Sequence, residues 1–131
     1  MNALEVDRRI FNHIVIREDL PTKLPGKFKS KVWKRDNYRC LWCGMKRKGK
    51  KGGTHSIHHI LPRLEWPDFY FYEENLIGLC LGCHKHIHRI IDPIRITYNY
   101  LPVFQLARKC IIPLEKKIPK HILDGAYNLV I

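Results

Sequence analysis

Residues 76–88 read LIGLCLGCHKHIH, and this stretch decides the fold. Its opening apolar run, 76–79, is typical of a short buried strand. The residues from about 83 to 91 are predicted to form a helix that ends at Asp92-Pro93, because proline disfavours helical backbone in the residue before it. Upstream, the apolar and histidine-bearing run 56–61 predicts another strand, so the order is strand, strand, helix.

Two cysteine pairs bracket this hairpin, with two residues inside each pair: Cys40 with Cys43, and Cys80 with Cys83. Four thiolates satisfy the tetrahedral preference of Zn²⁺ and leave no position for a substrate, so the pattern predicts a structural zinc site. Redox-active or disulfide-bonded pairs are the alternative. Cys110 lies outside the pattern and is predicted to be a buried apolar side chain.

Six of the 8 histidines are concentrated in the same part of the chain. In the predicted strand, His58 and His59 point to opposite faces. In the predicted helix, His84 and His88 share one face, with Cβ atoms about 5–6 Å apart, whereas His86 faces away. Two helix histidines and one strand histidine could therefore form a three-imidazole site with open positions for water and phosphate.

The chain is strongly basic, with 24 Lys+Arg against 12 Asp+Glu and a formal net charge of +12, which indicates an anionic partner such as nucleic acid. Most of the excess lies between 23 and 51, where a basic helix is predicted over 27–36. Phe28, Val32 and Trp33 would lie on one side of that helix. A solvated basic face is the alternative. The candidate nucleic-acid contacts are Lys34, Arg35, Arg39, Lys46, Arg47, Lys48, Lys50, Lys51 and, beside the histidines, Arg63.

The 131 residues suit a single domain with its core over 27–91, an N-terminal extension over 1–26 and a C-terminal extension over 92–131. Residues 1–22 fit a strand or a helix equally well. A helix is predicted over 102–111, and the C-terminal extension is expected to serve packing or a second contact surface. The absence of a leader pattern and of an apolar run of about 18 residues predicts a soluble, cytoplasmic protein with no membrane partner.

Four short motifs follow one another in a fixed order within this core. They are Arg39-Cys40-x-x-Cys43-Gly44, His58-His59-Ile60-x-Pro62-Arg63, Asn75-Leu76 and Leu79-Cys80-x-x-Cys83-His84. Together they resemble the HNH nuclease family. The resemblance implies an α+β fold: a small zinc-stabilised ββα-metal (His-Me finger) domain, here with flanking N- and C-terminal helical or irregular segments, and an origin in a bacterium or a phage.

The resemblance also implies roles for individual residues. His59 matches the general base, Asn75 the residue that braces the loop holding that base, and His84 a metal ligand. Two departures from the commoner pattern are His58, where many members have Asp, and His88, which makes the site similar to that of colicin-type nucleases. We therefore assign His58, His84 and His88 as ligands of one catalytic divalent metal.

The function expected from these residues is hydrolysis of phosphodiester bonds in DNA, most simply double-stranded DNA, by a monomer or a homodimer. His59 would activate water, the metal would stabilise the leaving 3′ oxygen, and Arg63 would clamp a phosphate oxygen. The metal would be Mg²⁺, Mn²⁺, Ni²⁺, Co²⁺ or Zn²⁺, and a neutral three-imidazole set disfavours Mg²⁺.

Alternatives remain open at this point. One is a zinc-stabilised nucleic-acid-binding module without catalysis, and another is an RNase or a colicin-type toxin nuclease. His55 and His86 are predicted to be surface residues or DNA contacts. The aromatic run 66–72 is predicted to form a packing wall rather than a base-stacking wedge.

Overall fold

The computed structural model describes residues 24–47 and 55–131, and its secondary structure is α+β. The helices and strands, in chain order, are α1 Gly26–Arg35, β1 His55–His59, β2 Leu76–Cys80, α2 Leu81–Thr97, α3 Val103–Ile111 and α4 Lys120–Tyr127. Short 3₁₀ helices span Pro67–Phe69, Glu73–Asn75 and Ile112–Lys116. The predictions for residues 1–22 and for Lys48, Lys50 and Lys51 lie outside the described residues. None of the helices within the described ranges is both long and apolar enough to cross a membrane.

The two strands form one antiparallel sheet that leads directly into α2. His55 lies opposite Cys80, and His59 lies opposite Leu76. All five residues of β2 are buried, which explains its unbroken apolar sequence, whereas β1 is partly exposed. A Cβ on Gly78 would lie 2.8 Å from Cε3 of Trp33, so only glycine lets that indole pack against the strand backbone.

Helix α1 is attached to β2 by one buried carboxylate and one guanidinium. Asp36, just after the helix, accepts a hydrogen bond from the Gly78 amide at 2.9 Å and pairs with Arg35 at 2.7 Å. The Arg35 guanidinium also donates to the carbonyls of Glu73 at 3.1 Å and Leu76 at 2.5 Å. Arg35 was predicted as a nucleic-acid contact, but its donors are used inside the fold, because the carbonyls of Glu73 and of Leu76 at the start of β2 need partners.

Helix α2 does not end where the sequence predicts. It continues through Pro93 to Thr97, so the predicted end at Asp92-Pro93 is wrong. A proline inside a helix costs about 3 kcal/mol through a lost hydrogen bond and a steric clash. The residues beyond it offset this cost, since Ile94 and Tyr98 pack against the core and Arg95 pairs with Glu65 at 2.8 Å.

The C-terminal segment packs into the main hydrophobic core. Its buried side chains join those of β2 and α2 in one cluster. They are Leu106, Ala107, Cys110, Ile111, Leu114, Ile118, Leu123 and Ala126. The prediction that Cys110 is a buried apolar side chain is confirmed, since it is 0% exposed. Of the two roles expected for this segment, packing is the one that these contacts show, and the core extends beyond residue 91.

Candidate metal centres and the adjoining cleft

The four predicted cysteine ligands lie together between the end of α1 and the start of α2. Their Sγ atoms are all within 4.8 Å of one another, and those of Cys43 and Cys80 are 3.8 Å apart. Four sulfurs about 2.3 Å from a central Zn²⁺ are spaced about 3.8 Å apart along each tetrahedral edge. The cluster could therefore hold a structural metal ion such as zinc.

The backbone around each cysteine pair is arranged alike. The amide of Cys43 points at Sγ of Cys40 at 3.5 Å, and the amide of Cys83 points at Sγ of Cys80 at 3.4 Å. Amide donors of this kind stabilise sulfur that carries negative charge. Burial and the neighbouring cysteines raise the pKa of the Cys83 thiol, so an ion is needed to keep this sulfur ionised at neutral pH.

His55 packs beside the cysteine cluster and contacts the loop that contains Cys40 and Cys43. Its Nε2 lies 2.9 Å from the Met45 carbonyl, and its ring meets the edge of Trp33 with centroids 5.5 Å apart. The prediction that His55 lies at the surface is therefore wrong, because the residue is 6% exposed and tied to the cysteine loop, whereas its alternative, a DNA contact, stays a prediction. His86, by contrast, is exposed beside Trp42, as its position on the helix predicts.

The three predicted histidine ligands also lie together. One ring nitrogen each of His58, His84 and His88 lies within 4.8 Å of the other two. Nε2 of His84 and Nε2 of His88 face each other at 3.0 Å. Two ligands each about 2.0–2.1 Å from a shared ion lie about 3 Å apart, so this spacing fits a common metal.

His58 gives an independent test of whether the cluster fits a metal. The residue is 2% exposed, and neither of its ring nitrogens has a hydrogen-bond partner among the described residues. A buried polar group left unsatisfied costs about 1–3 kcal/mol, and an ion bound to one nitrogen removes part of that penalty. Burial, and then the charges of His84 and His88, hold the pKa of His58 well below its usual value, so its imidazole is neutral and able to bind a metal.

His84 is oriented by a residue of the neighbouring strand. Its Nδ1 lies 2.6 Å from Oγ of Ser56, which leaves Nε2 directed at His88. Burial and the proximity of His88 lower the pKa of His84 to about 4. Ser56 was not predicted as a site residue, although it is two residues before His58 and so on the same face of the strand.

His59 has a different environment from the histidine beside it. Its Nε2 lies 3.1 Å from the Tyr70 carbonyl, and its ring stacks on the Tyr70 ring at 4.7 Å. Since a carbonyl only accepts, Nε2 carries the hydrogen and Nδ1 keeps its lone pair. Burial lowers the pKa of His59 to about 4, with a smaller contribution from Arg63. Its imidazole is therefore neutral at physiological pH.

Asn75 fixes the loop that supplies this carbonyl. The side chain is fully buried, accepts a hydrogen bond from the Leu61 amide at 2.7 Å and donates to the Leu61 carbonyl at 3.1 Å. It also donates to the Phe69 carbonyl at 3.2 Å. These contacts join both ends of the loop over 61–70 and place the carbonyl of Tyr70 against His59.

The aromatic run over 66–72 forms the outer part of this loop. Trp66 and Tyr70 are 4% and 3% exposed, which agrees with its predicted packing role. Tyr72 is the one aromatic residue of the run that is exposed.

An open cleft of about 510 Å³ joins these histidines to basic side chains. It is lined by the three clustered histidines, by His59 and by Lys29, Arg47, Arg63 and Arg95. The guanidinium of Arg63 lies over the Tyr70 ring at 5.8 Å, and that of Arg47 lies over Trp33 at 5.0 Å. Two predicted contacts, Arg47 and Arg63, are thus brought to the histidines.

Other predicted contacts lie elsewhere. Lys34, Arg39 and Lys46 are exposed and do not line the cleft. Lys29 and Arg95 line it but were not singled out, because nothing in their local sequence indicates which residues they face. Comparison of the chain with protein-family models, with curated proteins and with solved structures finds no match.

Proposed function

We propose that this protein is a metal-dependent endonuclease of the HNH type, with a ββα-metal (His-Me finger) core, that hydrolyses phosphodiester bonds in DNA. The observation that carries the proposal is the position of His59, whose Nε2 is held by the Tyr70 carbonyl, in the same basic cleft as the three-histidine cluster. A general base and a cluster that fits a metal ion are the two components that hydrolytic phosphodiester cleavage needs.

Each residue has a defined task in this proposal. Nδ1 of His59 accepts a proton from the water that attacks the phosphorus, while the Tyr70 carbonyl holds the ring in place. Asn75 maintains that carbonyl through the loop. Lewis-acid stabilisation of the leaving 3′ oxygen is the chemistry that a divalent ion held by His58, His84 and His88 would supply.

The choice of substrate is supported by charge. Lys29, Arg47 and Arg63 line the cleft beside the histidines, and the chain has a net charge of +12. Cationic side chains bind the phosphate backbone of nucleic acid and gain affinity by releasing counterions. We propose double-stranded DNA as the substrate, bound by a monomer or a homodimer, and zinc as the ion of the four-cysteine cluster.

The experiment measures conversion of supercoiled plasmid to nicked and linear DNA by the purified protein, with Mg²⁺, Mn²⁺, Ni²⁺, Co²⁺ or Zn²⁺ added separately. We expect cleavage with at least one of these metals. His59→Ala should lower the cleavage rate roughly 10²–10⁴-fold, as expected for loss of a general base, with DNA binding and zinc content retained. His86→Ala, which changes an exposed histidine of the same helix, should cleave like the parent.

Three results would contradict parts of this proposal. Cleavage by His59→Ala at the parental rate would exclude His59 as the base. DNA binding without cleavage under any of the metals would favour a zinc-stabilised binding module. Cleavage of labelled RNA, assayed beside the DNA, without cleavage of the DNA would favour a ribonuclease or a toxin nuclease that acts on RNA.

A further inference from the structure

We propose that Asp92 is a positioning residue for the metal ligand His88, and that Arg95 and Glu65 hold Asp92 in place. This inference rests on the three-histidine metal centre of the proposed function. It adds to that centre a charged network, Glu65–Arg95–Asp92, defined by these three side chains and joining the loop before the first 3₁₀ helix to α2.

The contact between Asp92 and His88 fixes the tautomer of the imidazole. Oδ1 of Asp92 lies 3.2 Å from Nδ1 of His88. An ionised carboxylate only accepts hydrogen bonds, so Nδ1 carries the hydrogen and Nε2 keeps its lone pair. That Nε2 is the atom 3.0 Å from Nε2 of His84. Carboxylate partners of this kind orient metal-binding histidines and make their imidazoles more basic.

Arg95 donates to the same oxygen of Asp92 that contacts His88. Its Nη1 donates to Oδ1 of Asp92 at 2.9 Å, and its Nε donates to Oε1 of Glu65 at 2.8 Å. The side chains of Arg95 and Glu65 are each 15% exposed, whereas that of Asp92 is 47% exposed. The shielded Arg95–Glu65 pair therefore anchors a carboxylate that is itself about half exposed.

The unexpected length of α2 is what makes this network possible. Asp92 and Arg95 are three residues apart on either side of Pro93, and His88 is four residues before Asp92. These spacings bring side chains together only on a continuous helix. A helix that ended at Pro93 would separate Arg95 from Asp92, so its continuation serves the site as well as the core.

The three histidines differ in their outer partners. Among the described residues, His88 contacts a carboxylate, His84 contacts the neutral hydroxyl of Ser56, and neither ring nitrogen of His58 has a hydrogen-bond partner. Asp92 thus places negative charge beside an otherwise neutral ligand set. Its removal should weaken the binding of a cation more than the loss of an uncharged partner would.

The test measures the binding of Co²⁺ to protein that already carries one zinc per chain, by titration calorimetry and by the visible absorption of the bound ion. We expect Asp92→Ala to weaken Co²⁺ affinity about 10–100-fold, the usual effect of losing an outer partner of a metal-binding histidine. Asp124→Ala removes an exposed carboxylate that pairs with Lys120 at the surface. It is the matched control and should bind Co²⁺ like the parent.

Two further variants separate positioning from general destabilisation. Asp92→Asn retains an oxygen that accepts from His88 and Arg95, so it should recover part of the lost affinity. Arg95→Gln should weaken Co²⁺ binding less than Asp92→Ala does. The double variant with Arg95→Gln and Asp92→Ala should bind Co²⁺ no more weakly than Asp92→Ala alone, because Arg95 acts through Asp92.

Several outcomes would overturn the inference. One is that Asp92→Ala binds Co²⁺ with an affinity within twofold of the parent. Another is that the losses of Co²⁺ affinity in Asp92→Ala and Arg95→Gln add up in the double variant. A third is that the parent binds no second ion. Since the measurement is of metal binding, a protein that binds Co²⁺ as described but cleaves no DNA would refute the proposed function and leave the role of Asp92 intact.

Discussion

At the scale of single residues, the two consecutive histidines of β1 have different surroundings and different contacts. Within the described part of the chain, buried His58 has no hydrogen-bond partner and lies against the helix histidines, whereas His59 is hydrogen-bonded to the Tyr70 carbonyl. Alternation of side chains along a strand sends the two imidazoles in different directions. One can therefore join the three-histidine cluster, while the other is held apart from it by the Tyr70 carbonyl.

The buried amide of Asn75 is predicted to matter for stability as well as for the position of the proposed base, His59. Asn75→Ala removes three hydrogen bonds and leaves the backbone groups of Leu61 and Phe69 unsatisfied. We expect the free energy of unfolding to fall by about 3 kcal/mol, measured by urea denaturation at constant metal concentration. Asn128→Ala, at an exposed position after α4, should change it by less than about 0.5 kcal/mol. A loss equal to that of the control would refute the bracing role.

At the scale of elements, α2 joins the two candidate metal clusters and the core. Its first turn contains Cys83 and His84, its second turn ends with His88, and Ile91 packs inward. The N-terminal capping position is Cys80, whose sulfur accepts from the amide of Cys83. The same helix end therefore belongs to the cysteine cluster and sets the direction in which the histidines point.

Pro93 is the residue of α2 whose replacement should stabilise the protein. It is exposed and lies inside the helix, where it supplies no amide hydrogen. Pro93→Ala should raise the free energy of unfolding by about 1 kcal/mol, since restored helical bonding exceeds the added freedom of the unfolded chain. Thermal denaturation followed by circular dichroism would measure this change. A lower melting temperature would mean that proline at this position is needed for the packing of Ile94 and Tyr98.

At the scale of the whole molecule, the cysteine cluster connects segments that are distant in sequence. It joins the end of α1 to the junction of β2 and α2, and the Leu41 amide bonds to the Gly78 carbonyl at 3.0 Å beside it. A metal that binds only the folded arrangement contributes its binding free energy to folding. The stability of the domain should therefore depend on the ion.

Removal of the proposed zinc should unfold the protein. We expect Cys80→Ser to lose one equivalent of zinc and most of its helical circular dichroism, with the same result when a strong chelator is added to the parent. Cys110→Ala changes a buried cysteine outside the cluster. It should keep its zinc and lose only about 1 kcal/mol of stability. A folded Cys80→Ser protein with full zinc content would show that the cluster is not the zinc site.

The elements around the hairpin were predictable because their signals are local. Spacing along the chain brings two cysteines to one turn, and a separation of four residues puts His84 and His88 on one helix face. The same spacing argument could have identified Asp92 as the neighbour of His88, and strand alternation could have identified Ser56. The helices near Gly26–Arg35 and Val103–Ile111 were predicted within a residue or so at each end.

The amino-acid sequence by itself determined the two cysteine pairs, the shared helix face of His84 and His88 and the strand, strand, helix order, since each depends on spacing over a few residues. Only the tertiary structure decided that Arg35 turns inward, that His55 is buried, that α2 passes through Pro93 and that Lys29 lines the cleft. In each of these cases a long-range contact outweighs the local preference of the residue. The energy of such contacts depends on neighbours that are distant in sequence, and no local pattern encodes them.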